Sequence, residues 1–204
     1  MACASLVQNR TKAQKGMVII MKKQMTLLLA AVCLLFGGCG RKALPTAEWF
    51  DYYATPHDMP ELSEPLEFEA EEYDGVVFCW KNSASQWGDD ITAVRDGEET
   101  ELYSGMPVWS VFLSDLNGDG YRELCSTVSV GSGITDTRVI VYDYRAGKQY
   151  ELADRGEYDY VLALRDGVLT VKKFENMGKE ELASGPLGLE QENGETLLCM
   201  KEKK

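Results

Sequence analysis

Histidine is almost missing from this chain: His57 is the only one in 204 residues. It falls between Pro56 and Pro60, away from any regular apolar pattern, so no Ser-His-Asp or Cys-His arrangement can be built around it on a rigid scaffold. Cysteine is present but forms no framework. The six cysteines stand at 3, 33, 39, 79, 125 and 199 with no CxxC spacing, which removes the zinc and redox readings. Beyond residue 39 only Cys79, Cys125 and Cys199 remain, an odd number that cannot close a complete disulfide set. Each lies in an apolar stretch and reads as a small core residue; one bridge with a spare thiol is the alternative. Long apolar runs are also absent. The longest, Thr26 to Phe36, has 11 residues, short of the roughly 18 to 20 that a membrane-spanning helix needs. After residue 65 no segment sustains the 3.6-residue apolar period of a helix.

Basic charge is scarce and unevenly placed. Residues 1–38 hold five of the 21 Lys and Arg and none of the 33 Asp and Glu, so the remainder carries 16 − 33 = −17. A chain of that charge repels nucleic acid and anionic membrane surfaces and attracts cations. The basic N-terminal part has the order of a secretory signal: Met21-Lys22-Lys23, the apolar run, then Phe36-Gly37-Gly38-Cys39. Those last four residues resemble a bacterial lipobox, with Phe36 where lipoboxes usually carry Leu. The resemblance implies that Cys39 is lipidated and becomes the N-terminus of a protein anchored on the extracytoplasmic face of the cell membrane. An ordinary cleaved signal or an uncleaved anchor are the alternatives. Translation from Met21 would place the basic start at the true N-terminus. Residues 1–38 are therefore read as an upstream extension plus signal.

Residues 39–65 hold Pro45, Pro56, Pro60 and Pro65 with acids between them and read as a tether. Within it, Trp49-Phe50-Asp51-Tyr52-Tyr53 follows Thr46, and a single helical turn capped by Thr46 is expected there. A partner-binding or interfacial role for these aromatics is the alternative. From residue 66 to 204, turn signals recur at Asp74-Gly75, Asp96-Gly97, Asn117-Gly118, Ala146-Gly147, Asp166-Gly167 and Asn193-Gly194, with alternating apolar residues between them. In the clearest case a two-residue turn at Asp166-Gly167 sets Leu164 against Leu169 and Leu162 against Val171 on one side of a hairpin. Val139–Tyr144 with Gln149–Ala153, and Pro186–Glu190 with Thr196–Met200, read as two more hairpins. The prediction is an all-β domain of about ten short antiparallel strands in a meander: a sandwich, a barrel or partial propeller-like blades.

One stretch is chemically specific. In Asp115-Leu116-Asn117-Gly118-Asp119-Gly120-Tyr121-Arg122-Glu123, three oxygen-bearing side chains stand two residues apart, a glycine follows for the turn, and a carboxylate closes the loop. It is not an EF-hand, because position 12 is Ser126 and the flanks read as strands. The spacing resembles the loop of FG-GAP repeats in integrin-type propellers. By that resemblance Asp115, Asn117, Asp119 and Glu123 bind calcium by side chain and Tyr121 by its carbonyl, with Glu123 one methylene longer than the usual Asp. The alternative is a metal-free turn whose Asp and Asn side chains cap their own backbone.

A wider resemblance from Ser104 to Phe174 is to the extracytoplasmic C-terminal region of some Firmicutes beta-lactam sensor metallopeptidases. It rests on Ser-Gly-Met-Pro-Val-Trp, Asp-Leu-Asn-Gly-Asp-Gly, Val-Gly-Ser-Gly-Ile, Val-Tyr-Asp-Tyr and Asp-Arg-Gly-Glu-Tyr-Asp-Tyr. It implies no enzymatic role, and the peptidase's His-Glu-x-x-His is absent. Gly131-Ser132-Gly133 reads as a flexible loop rather than an anion cradle. Tyr142, Tyr144, Tyr158 and Tyr160 read as cross-strand pairs before a sugar or peptide platform. Asp136, Asp143 and Asp154 read as surface or turn carboxylates, one of which can complete a metal shell. The expected function is recognition of an extracellular protein, a cell-wall component or a glycan by a lipid-anchored calcium-binding module. A sensor or regulatory module of an envelope signalling system is the alternative class, and a glycan-acting enzyme the weaker one.

Overall fold

A computed structural model describes residues 43–54, 64–84, 88–131 and 136–201. Cys39 and the signal, His57, Ser132 and Gly133 lie outside the described residues. The described chain is all-β, with thirteen strands and no helix. They are β1 (Ala47–Asp51), β2 (Leu66–Glu69), β3 (Val76–Asn82), β4 (Asp89–Arg95), β5 (Glu98–Gly105), β6 (Val108–Ser114), β7 (Glu123–Val130), β8 (Asp136–Asp143), β9 (Lys148–Glu151), β10 (Tyr158–Arg165), β11 (Val168–Glu175), β12 (Glu181–Glu192) and β13 (Glu195–Met200).

Three antiparallel meanders follow one another along the chain: β2-β3-β4-β5, β6-β7-β8-β9 and β10-β11-β12-β13, with β1 added to the β6 edge of the second. Sequential strands pair through short connections, and three of these, β4–β5, β10–β11 and β12–β13, are two-residue turns. Asp96-Gly97, Asp166-Gly167 and Asn193-Gly194 each place both central residues at positive φ, the turn whose twist matches that of the strands it joins. In the β10–β11 hairpin Leu164 pairs with Leu169 and Leu162 with Val171, the register the sequence predicts. The β8–β9 and β12–β13 hairpins are likewise found where the alternating residues place them.

The second sheet lies between the other two. Alternate residues of its strands face opposite cores. Val111, Leu113, Leu124, Val128 and Ile140 join the first sheet's Phe78, Trp80 and Ile91, whereas Phe112, Cys125, Val139 and Val141 join the third sheet's Leu162, Leu169 and Val171. That is why Val108–Leu113 of β6, Leu124–Val130 of β7 and Val139–Val141 of β8 read as unbroken apolar or small residues. Two of the polar side chains buried in this sheet find partners across it: the Tyr103 and Ser126 hydroxyls share a 2.6 Å hydrogen bond, and the Leu162 N–H donates to Thr127 Oγ1.

The helical turn expected after Thr46 is replaced by β1, which pairs antiparallel with β6 through a bulge between Glu48 and Phe50. Its aromatics are packed: the Phe50 ring stacks on Trp80 at 4.2 Å, and Trp49 lies 5.7 Å from Phe68. An open edge of β6 and an uncovered Trp80 together favour the extended form over an isolated turn, which could satisfy neither. Cys79, Cys125 and Cys199 are free thiols, the first two buried.

Candidate metal centre

The β6–β7 connection carries the acidic loop, so Asp115 to Arg122 are held between two strands buried on both faces. Gly118 and Gly120 adopt φ of 74° and 82°, which folds the loop back on itself. Asp115 Oδ1 accepts the Asp119 N–H at 3.0 Å, and Asp115 Oδ2 accepts the N–H groups of Gly120 and Leu44. Asn117 Oδ1 also accepts the Asp119 N–H, at 2.8 Å, and Asp119 Oδ1 accepts that of Tyr121. This is the self-capping arrangement of an Asx-rich turn. Among the described residues no three His, Cys, Asp or Glu side chains stand grouped as ligands of one metal ion.

Glu123 is the exception to the loop's exposure. Its side chain turns inward and the residue is 1% exposed. Oε2 accepts the Leu116 N–H at 2.8 Å and Oε1 accepts Asn117 Nδ2 at 2.7 Å. Asp143, itself buried, stands across from Glu123, one step beyond the Leu124–Tyr142 register. Burial pushes the Glu123 carboxyl up to about 7; the Leu116 N–H acts the other way, and the charges of Asp143 and Asp115 add to the rise. Of the carboxylates with no assigned role in the sequence, Asp143 is thus the one brought to the loop. Its position follows from strand register, which spacing alone does not reveal. Asp154 accepts hydrogen bonds from Tyr160 and Lys173, and Asp136 pairs with Arg138; both lie in other parts of the molecule.

The first sheet grips the loop from outside. Arg122 makes a two-pronged ion pair with Glu72, at 2.6 and 2.9 Å, and its carbonyl accepts the Tyr73 hydroxyl at 2.9 Å. Burial first, then the charges of Glu123 and Asp143, keep the Tyr73 phenol protonated far above its ordinary range, so it remains a donor. Arg145 reaches back from the β8–β9 turn, 3.0 Å from Asp119 Oδ2 and 4.5 Å above the Tyr121 ring.

By type, the side-chain oxygens of Asp115, Asn117, Asp119 and Glu123, with no sulfur or imidazole among them, are those a hard cation takes, but their carboxylates are not gathered as one ligand group. Turn-capping does not exhaust these groups, since each carboxylate carries about four acceptor positions. Comparison of the chain with protein-family models, with curated proteins and with solved structures returns no match.

Proposed function

We propose that this chain is a lipid-anchored, extracytoplasmic β-domain stapled by calcium, and that its task is recognition of an extracellular ligand. The observation that carries the metal reading is Glu123. Among the described residues no cation pairs with it, yet it is buried against the loop and faced by Asp143. A carboxylate in that position is unfavourable when charged unless a positive ion joins it. A divalent cation held by Asp115, Asn117, Asp119, Glu123 and the Tyr121 carbonyl supplies that charge. The chain's own residues then orient the loop: Tyr73 and Glu72 hold Arg122, and the positive-φ turns at Gly118 and Gly120 fold the loop back on itself. No group in the loop is arranged as nucleophile or base toward an open substrate site, which favours binding over catalysis. Anchoring through Cys39 rests on the lipobox resemblance and on the basic start and apolar run that precede it in residues 21–38.

Thermal melting of the full chain in millimolar calcium and in EDTA tests the metal reading. Calcium at a hundredfold excess over its dissociation constant adds about 2.7 kcal/mol, which for a domain of this size raises Tm by about 5–10 °C. Asp119→Ala and Glu123→Gln should abolish the rise. Equal melting temperatures for the parent chain in the two buffers would leave the loop an ordinary turn. Palmitate incorporation that depends on Cys39 tests the anchor.

A further inference from the structure

Directly beside the acidic loop is a cleft of about 450 Å³ whose walls include Tyr73, Tyr121, Tyr144, Arg95 and Arg145. Val76 is the one aliphatic side chain lining it among the described residues. The rings are fixed by packing on one another: Tyr73 lies 5.5 Å from Tyr121 and 5.4 Å from Tyr144, and Tyr144 meets Phe78 edge-on at 5.3 Å. Arg95 comes from the end of β4 and Arg145 from the β8–β9 turn, and both are exposed. Two guanidinium groups at one cleft are unusual in a chain where acids outnumber bases two to one beyond residue 38. The acid deepest in the wall, Glu72, is already neutralised by Arg122.

We propose that this cleft binds an acidic saccharide, a uronic acid or a similarly carboxylated sugar. The proposal rests on the recognition reading above and gives it a ligand class. The half-buried Tyr121 and Tyr144 rings, backed by the buried Tyr73, can meet the C–H side of a pyranose. Guanidinium groups take a carboxylate in a two-pronged hydrogen bond. The exposed Asp74 is placed to accept from sugar hydroxyls. With no aliphatic recess beyond Val76, the cleft offers nothing to anchor an apolar peptide side chain. The volume suits one or two sugar rings. The loop also reaches the cleft directly. Arg145 is held at the cleft by Asp119 Oδ2.

Titration calorimetry of the full chain with glucuronic- and galacturonic-acid oligosaccharides, in millimolar calcium, tests this. Saturable binding is expected, with neutral glucose oligomers at least tenfold weaker. Arg145→Gln and Arg95→Gln, both at exposed positions, should each lower affinity tenfold or more while the melting temperature in calcium stays near that of the parent. Absence of binding at millimolar sugar would overturn the proposal, as would unchanged affinity in both arginine variants, or binding of short peptides with free C-termini in place of the sugars. Melting of the same sample with and without calcium reports on the loop alone. A chain stabilised by calcium that ignores the sugars therefore sinks the cleft and leaves the metal reading standing.

Discussion

Single residues in the central sheet carry two obligations at once, because both faces of that sheet are covered. Ser126 shows the consequence. Its hydroxyl is fully buried on the face toward the first sheet and is matched by Tyr103, 5% exposed, at 2.6 Å. Burial raises the Tyr103 phenol far above its ordinary pKa, which favours the neutral hydroxyl that the hydrogen bond needs. Tyr103→Phe removes one partner and strands the other, at a cost of about 1–3 kcal/mol. Adding Ser126→Ala to Tyr103→Phe should recover part of that loss, since no unsatisfied hydroxyl is then left. Urea denaturation of the parent, the two single variants and the double variant measures the coupling. Strict additivity would mean that the hydrogen bond contributes nothing. The sequence announces neither partner, because Ser126 looks like any small strand residue until Tyr103 is brought against it from β5.

At the scale of elements, what was readable depended on whether a pattern was local. Asp166-Gly167 names its own turn, and Leu162, Leu164, Leu169 and Val171 fix the register by falling on one face; each of these facts sits within a dozen residues. β1 is different. Its partner is β6, some sixty residues away. Its five residues are flanked by Pro45 and by the proline-containing stretch after it, so nothing nearby separates a docked strand from a turn in a tether. The acidic loop is intermediate. Its Asp and Asn spacing is legible in nine residues, but Asp143 reaches it only through the β7–β8 register. If β1 belongs to the core, truncating its central ring must be expensive. Phe50 is 7% exposed and stacked on Trp80, so Phe50→Ala should cost about 3–5 kcal/mol. Tyr53→Ala, just beyond the strand and 44% exposed, should cost far less. Urea midpoints within experimental error of each other would show that β1 adds little to the folded state.

Across the whole molecule, three meanders of local strands must be joined by contacts between sheets, and the pair Glu72–Arg122 is one such joint. Glu72 belongs to the turn between β2 and β3; Arg122 closes the loop between β6 and β7. Burial acts to raise the Glu72 pKa, but the hydrogen bonds and charge of Arg122 outweigh it and bring the carboxyl below its ordinary value. A carboxyl that binds its proton less readily when folded stabilises the fold above its unfolded pKa, about 4.5, and loses that contribution as pH falls through the lower, folded value. Glu72→Gln should therefore be less stable than the parent at pH 7, and the gap should narrow as pH drops below 4.5. Measured in EDTA, so that cation binding does not add its own pH dependence, urea midpoints of the two proteins from pH 7 to pH 3 give the result. A gap that is as wide at pH 3 as at pH 7 would mean that the charge of Glu72 is immaterial and that only its shape holds the first sheet to the loop. A gap that closes makes this ion pair an electrostatic joint between two sheets. In that case the order of the loop and the docking of the first sheet are coupled through this pair.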